Sequence, residues 1–596
     1  MICRPDLRLI LAAAAVLALV PPAVAAPGAD PLAAAGEALD RGDGIAAEFA
    51  ADRALDAGIA RERVAAFAGE AELLQDDLSA ARAWLEGGRF DRASAQRGFH
   101  ALARLEVREG DVAAAARAFN LAFAQGPENA RLWVDIGRFR YGNGQHDLAL
   151  AAAARALEVD PVDPRALEFR GQLLRDAMGV REASAWFAAA LEKVPDDLGL
   201  LGEYAATLGE AGEYRAMLRV ARRMVELDPR HPRAYFLQAV LAARAGRDDL
   251  ARRLLWRTEG AYDDVPAGQL LAGVLELRTG NPALAVDQFD ALARRQPDNA
   301  RVALLLGRAL LAAGDAGEVV ARFGPEAARA DASPYLLTLV GRAYEQLGRR
   351  AEAAPYLDRA AAGVPTEAGV LPFDAGGVWR TGSATGQGAD AVPLLRAMLA
   401  RGGRGEAIAF ADDLGEHFGG SADIARLRGD VALLVGDPAG ALVHYAAAAG
   451  IRRDWSLVER MAAAERMRGR EAAALDLVSD QVARNPADGR ALALLGRMYA
   501  ERGDSDGAAI VLARASALGG GRGDPLLLAD LARAELAAGN ADGAREAGQA
   551  AYALQRSNGR VADALARALQ PGEPRLAEVL LAKSRALAAP PQLARR

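Results

Sequence analysis

Residues 130–163 read ARLWVDIGRFRYGNGQHDLALAAAARALEVDPVD, and the fold is decided in these 34 residues. Trp133, Ile136, Gly137 and Arg140 recur three and four apart, the spacing of one helical face. Gly144 follows at the point where a helix ends in a left-handed residue, a conformation glycine adopts without penalty. A second helical run carries Ala149, Ala153 and Ala156 on one face, small enough to let two helices approach closely. Pro161 has no backbone N–H and stops that second helix. Gly137 is expected to act like the alanines, leaving out a side chain where another helix crosses. Neither helix can bury its apolar face alone, so the unit predicts stacking on copies of itself.

The copies are present. Glycine recurs at 42, 110, 144, 212, 246, 280, 314 and 348, and every interval is 34 or twice 34. Gly110, Gly144, Gly212, Gly246, Gly280, Gly314 and Gly348 are therefore expected to be structural turn residues. Asp76 and Met178 interrupt the series, and Met178 has Gly179 beside it. Further ladders hold the same phase: alanine at 47, 81, 115, 149, 183, 251, 285 and 353; proline at 127, 161, 195, 229, 297 and 365. A second glycine ladder runs through 69, 137, 171, 273, 307 and 341, and phenylalanine recurs at 119, 187, 289 and 323.

This pattern resembles the tetratricopeptide repeat family. The match is carried by Trp133, Gly137, Ala149, Ala156 and Pro161, then by Gly171, Ala183, Phe187, Ala190 and Pro195. Arg140 stands where the family prefers an aromatic, although Phe139 and Tyr141 flank it. The resemblance implies an all-α fold, a right-handed α-solenoid of tandem helix–turn–helix repeats whose first helices line the concave wall. It also implies a non-catalytic scaffold for protein partners, with the partner left open.

By this phasing about ten repeats occupy residues 28–367, the first two being the least typical, as terminal repeats often are. A Gly-rich insertion at 368–387 breaks the register. Five further repeats run over 388–558, with turn glycines Gly402, Gly436, Gly469, Gly503 and Gly539; Tyr499, Ala508 and Ala515 fit the family again. Residues 559–596 read as two capping helices split by Pro571-Gly572, then a tail containing Pro590-Pro591. The insertion serves either as a hinge between the blocks or as a loop presenting Phe373 and Trp379 to a partner. The hinge is the simpler reading.

The N-terminus reads as a secretory signal peptide, residues 1–25. Arg4 and Arg8 precede an apolar run from Leu9 to Val20, and Ala23-Val24-Ala25 supplies a small-x-small end. About twelve apolar residues fall short of the roughly 20 that a membrane span needs. No later stretch is long and apolar enough either, so no transmembrane span is expected after cleavage. The expected location is the periplasm of a Gram-negative bacterium, with export to the medium as the alternative. Cys3 is the only cysteine and leaves with the signal, so the mature chain forms no disulfide.

Composition agrees with packed helices. Hydrophobic residues make up 52% and aromatics 5% of 596 residues, with alanine abundant. The net charge of −7 becomes −8 when the signal's two Arg and one Asp are lost, which gives no support to nucleic-acid binding.

No catalytic, metal or cofactor constellation emerges, and the chain is not expected to be an enzyme. The five histidines, at 100, 146, 231, 417 and 444, have no metal-binding spacing. No phosphate-binding loop, paired-His metalloprotease motif or serine nucleophile elbow is present. Asp504-Ser505-Asp506-Gly507 starts like a calcium loop, lacks the remaining ligands and sits in a repeat turn. Arg-Gly-Asp occurs at 41–43, 428–430, 502–504 and 522–524. Asp43 and Asp504 are placed to cap helices, and Gly429 to pack inside one, which argues against an adhesion motif.

The informative polar residues are arginines at first-helix slots: Arg97, Arg104, Arg131, Arg138, Arg165 and Arg175, then Arg301, Arg308 and Arg342. Arg396, Arg490, Arg497 and Arg533 form a third group. Such a face could hold acidic segments of a protein partner, or its charge could be neutralised by neighbouring acids. An alternative role is an accessory of envelope export or exopolysaccharide secretion, where the face meets an anionic glycan or an acidic channel partner. The oligomeric state is left open.

Overall fold

The computed structural model describes residues 30–297, 299–329, 332–362, 391–518 and 521–588. The expected signal peptide at 1–25, the insertion at 368–387 with Phe373 and Trp379, and the tail from 589 lie outside the described residues.

The described residues form 32 α-helices and one 3-10 turn, Gly521–Gly523, with no strand among them. They belong to two compact units, one ending at Glu128 and the other starting at Asn129. The first unit holds three helix pairs, from Pro31–Asp40 with Gly44–Asp56 to Ala95–Glu109 with Val112–Ala124. The second holds seven pairs, from Ala130–Gly142 with His146–Val159 to Pro334–Gln346 with Arg350–Ala362. Five more follow, from Ala391–Ala400 with Arg404–His417 to Pro525–Ala537 with Ala541–Leu554. Gly559–Leu569 and Pro574–Ala588 end the series. Within each unit most helices pack on the next helix in sequence, so the core of each unit is a row of small clusters and not one centre.

Turn chemistry explains the punctuation. The seven expected turn glycines all have positive φ, from 71° at Gly246 to 92° at Gly314. Where the ladder lacks glycine, Asp76 takes the left-handed conformation itself at φ 67°, and at the Met178 break Gly179 takes a positive φ of 92°. Side-chain caps open many helices: Asn129 accepts from the Leu132 N–H at 2.7 Å, and Asp163 from that of Ala166 at 2.7 Å. The Arg-Gly-Asp aspartates Asp43, Asp504 and Asp524 are caps of this kind.

The second glycine ladder has a packing role. A methyl group on Gly171 would lie 2.4 Å from Cε1 of Phe187, one on Gly273 2.6 Å from Phe289, and one on Gly429 2.4 Å from Tyr445. In each case the large residue lies sixteen positions downstream, on the second helix of the same repeat. Gly137 departs from this: its downstream residue is Ala153, and Phe169 of the next repeat fills the space, 2.6 Å from a methyl at Gly137.

The single apolar stripe expected on the first helix is too simple. In Ala130–Gly142 the buried residues are Ala130, Leu132, Val134, Ile136 and Gly137, while Trp133 and Arg140 are half-buried. A first helix in a stack has neighbours on two sides and buries two faces. The second helix, with one main contact face, buries Ala149, Ala153 and Ala156 as its spacing predicts.

The second unit also touches itself across a long sequence interval. His146 Nδ1 accepts the Ala422 N–H at 3.0 Å, a pair 276 residues or about eight repeats apart. Beside it the Arg453 N–H donates to the Asp176 carbonyl at 2.8 Å, and Asn485 Oδ1 caps the Val180 N–H at 3.1 Å. Helix Arg350–Ala362 likewise touches the last helix, Pro574–Ala588. No helix among the described residues is long and apolar enough to cross a membrane.

Candidate functional site

Within each unit, first helices of neighbouring repeats lie side by side, and their polar residues meet across that seam. In the first unit the buried Glu70 receives Arg97 at 2.9 Å and Arg104 at 3.3 Å, and Arg97 also reaches Asp40 at 3.2 Å. In the second unit Arg138 pairs with Glu168 at 2.9 Å, and Arg175 with Glu203 at 3.3 Å. Glu203 also takes Arg233 at 2.5 Å. Burial pushes the Glu168 and Glu210 carboxyls up, against the pull of Arg138 and Arg175 respectively. At Glu203 burial also acts upward, but Arg233 and Arg175 together hold that carboxyl below its usual range.

Sequence reasoning did not find the most buried of these pairs. Arg460 Nε donates to Asp430 at 2.9 Å, both almost without exposure, and the Tyr445 hydroxyl donates to the same carboxylate at 2.8 Å. Burial and the adjacent Asp430 both push the Tyr445 hydroxyl well up. The available signal is spacing: Asp430 and Arg460 are 30 residues apart, as are Arg138 and Glu168, and Asp530 and Arg560. Opposite charges about one repeat apart on first helices mark this seam.

The expected arginines thus divide. Arg97, Arg104, Arg138 and Arg175 are engaged with acids of neighbouring first helices. Arg342 pairs within its own helix, with Glu345 at 2.5 Å. Arg131 and Arg165 are half-buried. Arg301 and Arg308 are exposed on helix Ala300–Ala313 and form no ion pair among the described residues. Arg490 pairs with Glu459 at 3.2 Å.

At Asp530 the balance changes. This buried carboxylate is met by Arg497 at 3.8 Å, Arg560 at 3.0 Å and, closer still, Arg533. The three guanidiniums come from three consecutive first helices, Gly489–Glu501, Pro525–Ala537 and Gly559–Leu569, and each is about half exposed. Three positive groups on one negative group leave a local charge of +2 facing solvent. Among the described residues no cluster of His, Cys, Asp and Glu could hold a metal ion.

Stacked helix pairs with a polar seam define an α-solenoid, a class of repeat scaffold. Two segments, residues 106–173 and 270–320, match family models described as tetratricopeptide repeats. The chain therefore carries tetratricopeptide repeats over these two segments, and repeats of this kind generally serve as non-catalytic scaffolds for protein–protein interaction. No curated protein matches the chain. It is similar to the APC/C hetero-tetramer Cut9–Hcn1 at 14% identity and a TM-score of 0.32, over 94% of this chain and 93% of that one. It is also similar to a human IFIT1 dimer with m7Gppp-AAAA at 13% identity and a TM-score of 0.31, over 76% and 89%. A thermophilic TPR protein of Thermus thermophilus matches at 21% identity and a TM-score of 0.27, over 30% and 99%.

Proposed function

We propose that this protein is a periplasmic, non-catalytic scaffold that holds an acidic segment of a protein partner along its first helices. The observation that carries the reading is the uncompensated charge at Asp530, where Arg497, Arg533 and Arg560 surround one carboxylate. Elsewhere on the seam arginines are largely offset: Arg97 and Arg104 face Glu70 and Asp40, and Arg175 and Arg233 face Glu203 and Glu210. Half-exposed guanidiniums suit carboxylate recognition, because their planar fork donates two hydrogen bonds at once. The periplasmic location is supported by the basic head, apolar run and Ala23-Val24-Ala25 end of the N-terminal segment.

The test is a pull-down from the exported fraction with the full chain and with its Arg497→Glu, Arg533→Glu variant. Partner binding that weakens with salt and falls at least ten-fold in the variant is expected. Equal recovery by a folded variant removes this patch from the site. Retention of an anionic polysaccharide in place of a protein would favour the export-accessory role.

A further inference from the structure

The strongest feature outside the arginine seam is a repeat whose second helix stops short. Across the second unit the other second helices run 12 to 14 residues. Helix Asp248–Trp256 has nine, and residues 257–265 form a loop before helix Pro266–Arg278. This loop is built, not frayed. Thr258 is buried and donates its hydroxyl to the Leu255 carbonyl at 2.7 Å. Tyr262 stacks on Phe236 with ring centres 4.1 Å apart, and its carbonyl oxygen would lie 1.9 Å from a methyl on Gly268. Glu259 adopts the left-handed conformation at φ 52°, which a residue with a long side chain rarely takes.

The loop leaves a cleft of about 440 Å³. Ala272, Leu275 and Leu255 supply its apolar lining, and Trp256 stands beside them at 83% exposure. Three carboxylates, Glu259, Asp263 and Glu276, share the lining with one guanidinium, Arg252. Arg252 is spent on Glu276 at 3.1 Å, and neither Glu259 nor Asp263 forms an ion pair among the described residues. The cleft therefore carries a charge of −2 next to an uncovered indole face. An indole attracts a cation over its face, and carboxylates beside it complete the recognition.

We infer that the Trp256 cleft receives an arginine or lysine side chain from a basic segment of a protein partner. The occupant is the charge opposite of the one proposed for the Asp530 patch, so the scaffold offers two grips of opposite sign. This inference rests on the scaffold reading and on a different set of residues from the arginine seam.

The test titrates the full chain into a fluorescein-labelled, capped Gly-Arg-Gly-Arg-Gly peptide, followed by polarisation. A citrulline version of the peptide removes the charge and keeps the shape. Binding that falls at least ten-fold with citrulline, with Trp256→Ala, and with Glu259→Gln plus Asp263→Asn is expected. The substitutions are exposed, and a far-ultraviolet helix spectrum checks that the fold survives. The Arg497→Glu, Arg533→Glu variant should bind the arginine peptide as the parent does, which separates this site from the acidic-partner patch. No binding by the parent, equal binding by Trp256→Ala, or equal binding of the citrulline peptide overturns the inference.

Discussion

Replacing Gly171 by alanine should destabilise the repeat that contains it, although alanine is the better helix former by about 1 kcal/mol. The added methyl would sit 2.4 Å from both Cε1 and Cζ of Phe187 and 3.0 Å from its Cε2. Ordinary carbon contacts lie at about 3.5–4 Å, so the ring must retreat by about 1 Å. It has nowhere to go: Phe187 is fully buried in a cluster with Leu167, Ala183, Ala190 and Leu200. Overpacking of this kind costs about 1–3 kcal/mol, and a clash with two ring atoms belongs at the upper end. The net loss should be about 2 kcal/mol, read by urea denaturation and by hydrogen exchange in helices Pro164–Met178 and Val180–Lys193. Gly142 provides the opposite sign: it is helical and exposed, with nothing near its would-be methyl, so Gly142→Ala should be neutral or stabilise by up to about 1 kcal/mol. Phe187→Leu should cost less in the Gly171→Ala background than alone, because it relieves the clash. A Gly171→Ala protein as stable as Gly142→Ala, or strictly additive double substitutions, would refute the packing argument.

Three further outcomes follow from the same geometry. Asp76→Gly should raise stability by about 0.5–1 kcal/mol in thermal unfolding, since glycine adopts the φ of 67° freely. Arg460→Ala should cost about 3–5 kcal/mol, because it leaves the buried Asp430 without its cation; exchange in helix Ala422–Val435 would report it. The contact at His146 should weaken in acid. Burial and Arg452 lower the pKa of this ring, opposed by Asp423, Asp147 and Asp176, and its Nδ1 must stay unprotonated to accept the Ala422 N–H. A ring freed by opening returns to about 6.5, so closure is fully favoured above that pH. It then loses up to about 1.4 kcal/mol per pH unit as the pH falls toward the depressed value. The protection factors of the amides at residues 420–424, with the intrinsic pH dependence of exchange divided out, should fall between pH 7 and 5 in the parent, and His146→Phe should lack that dependence.

The repeat and its punctuation were legible because they are local. A turn needs a left-handed residue, a cap needs Asp or Asn, and both leave a fixed period in the sequence. Even the exceptions keep a positive φ, as Asp76 and Gly179 show. The polar seam was half legible. Arg97, Arg138 and Arg175 stood out as first-helix arginines, but their acids sit on neighbouring helices, 27, 30 and 28 residues away. The surplus at Asp530 needs Arg560, which lies in the capping segment and outside the expected site. Two features were not legible. The short helix ending at Trp256 keeps the 34-residue glycine period, because its loop restores the missing length. The His146–Ala422 contact joins residues about eight repeats apart, and no periodic signal encodes which turn meets which.

That contact also has a mechanical meaning. A stack in which only neighbours touch stretches like a spring, each junction opening a little. Tying Val180 to Asn485 and His146 to Ala422 puts a latch across the coil, loaded in parallel with all the junctions it spans. Tension applied beyond the two latched segments should therefore break the latch before any helix unravels. The chain would lengthen in one step at constant helix content, and only then begin to yield repeat by repeat.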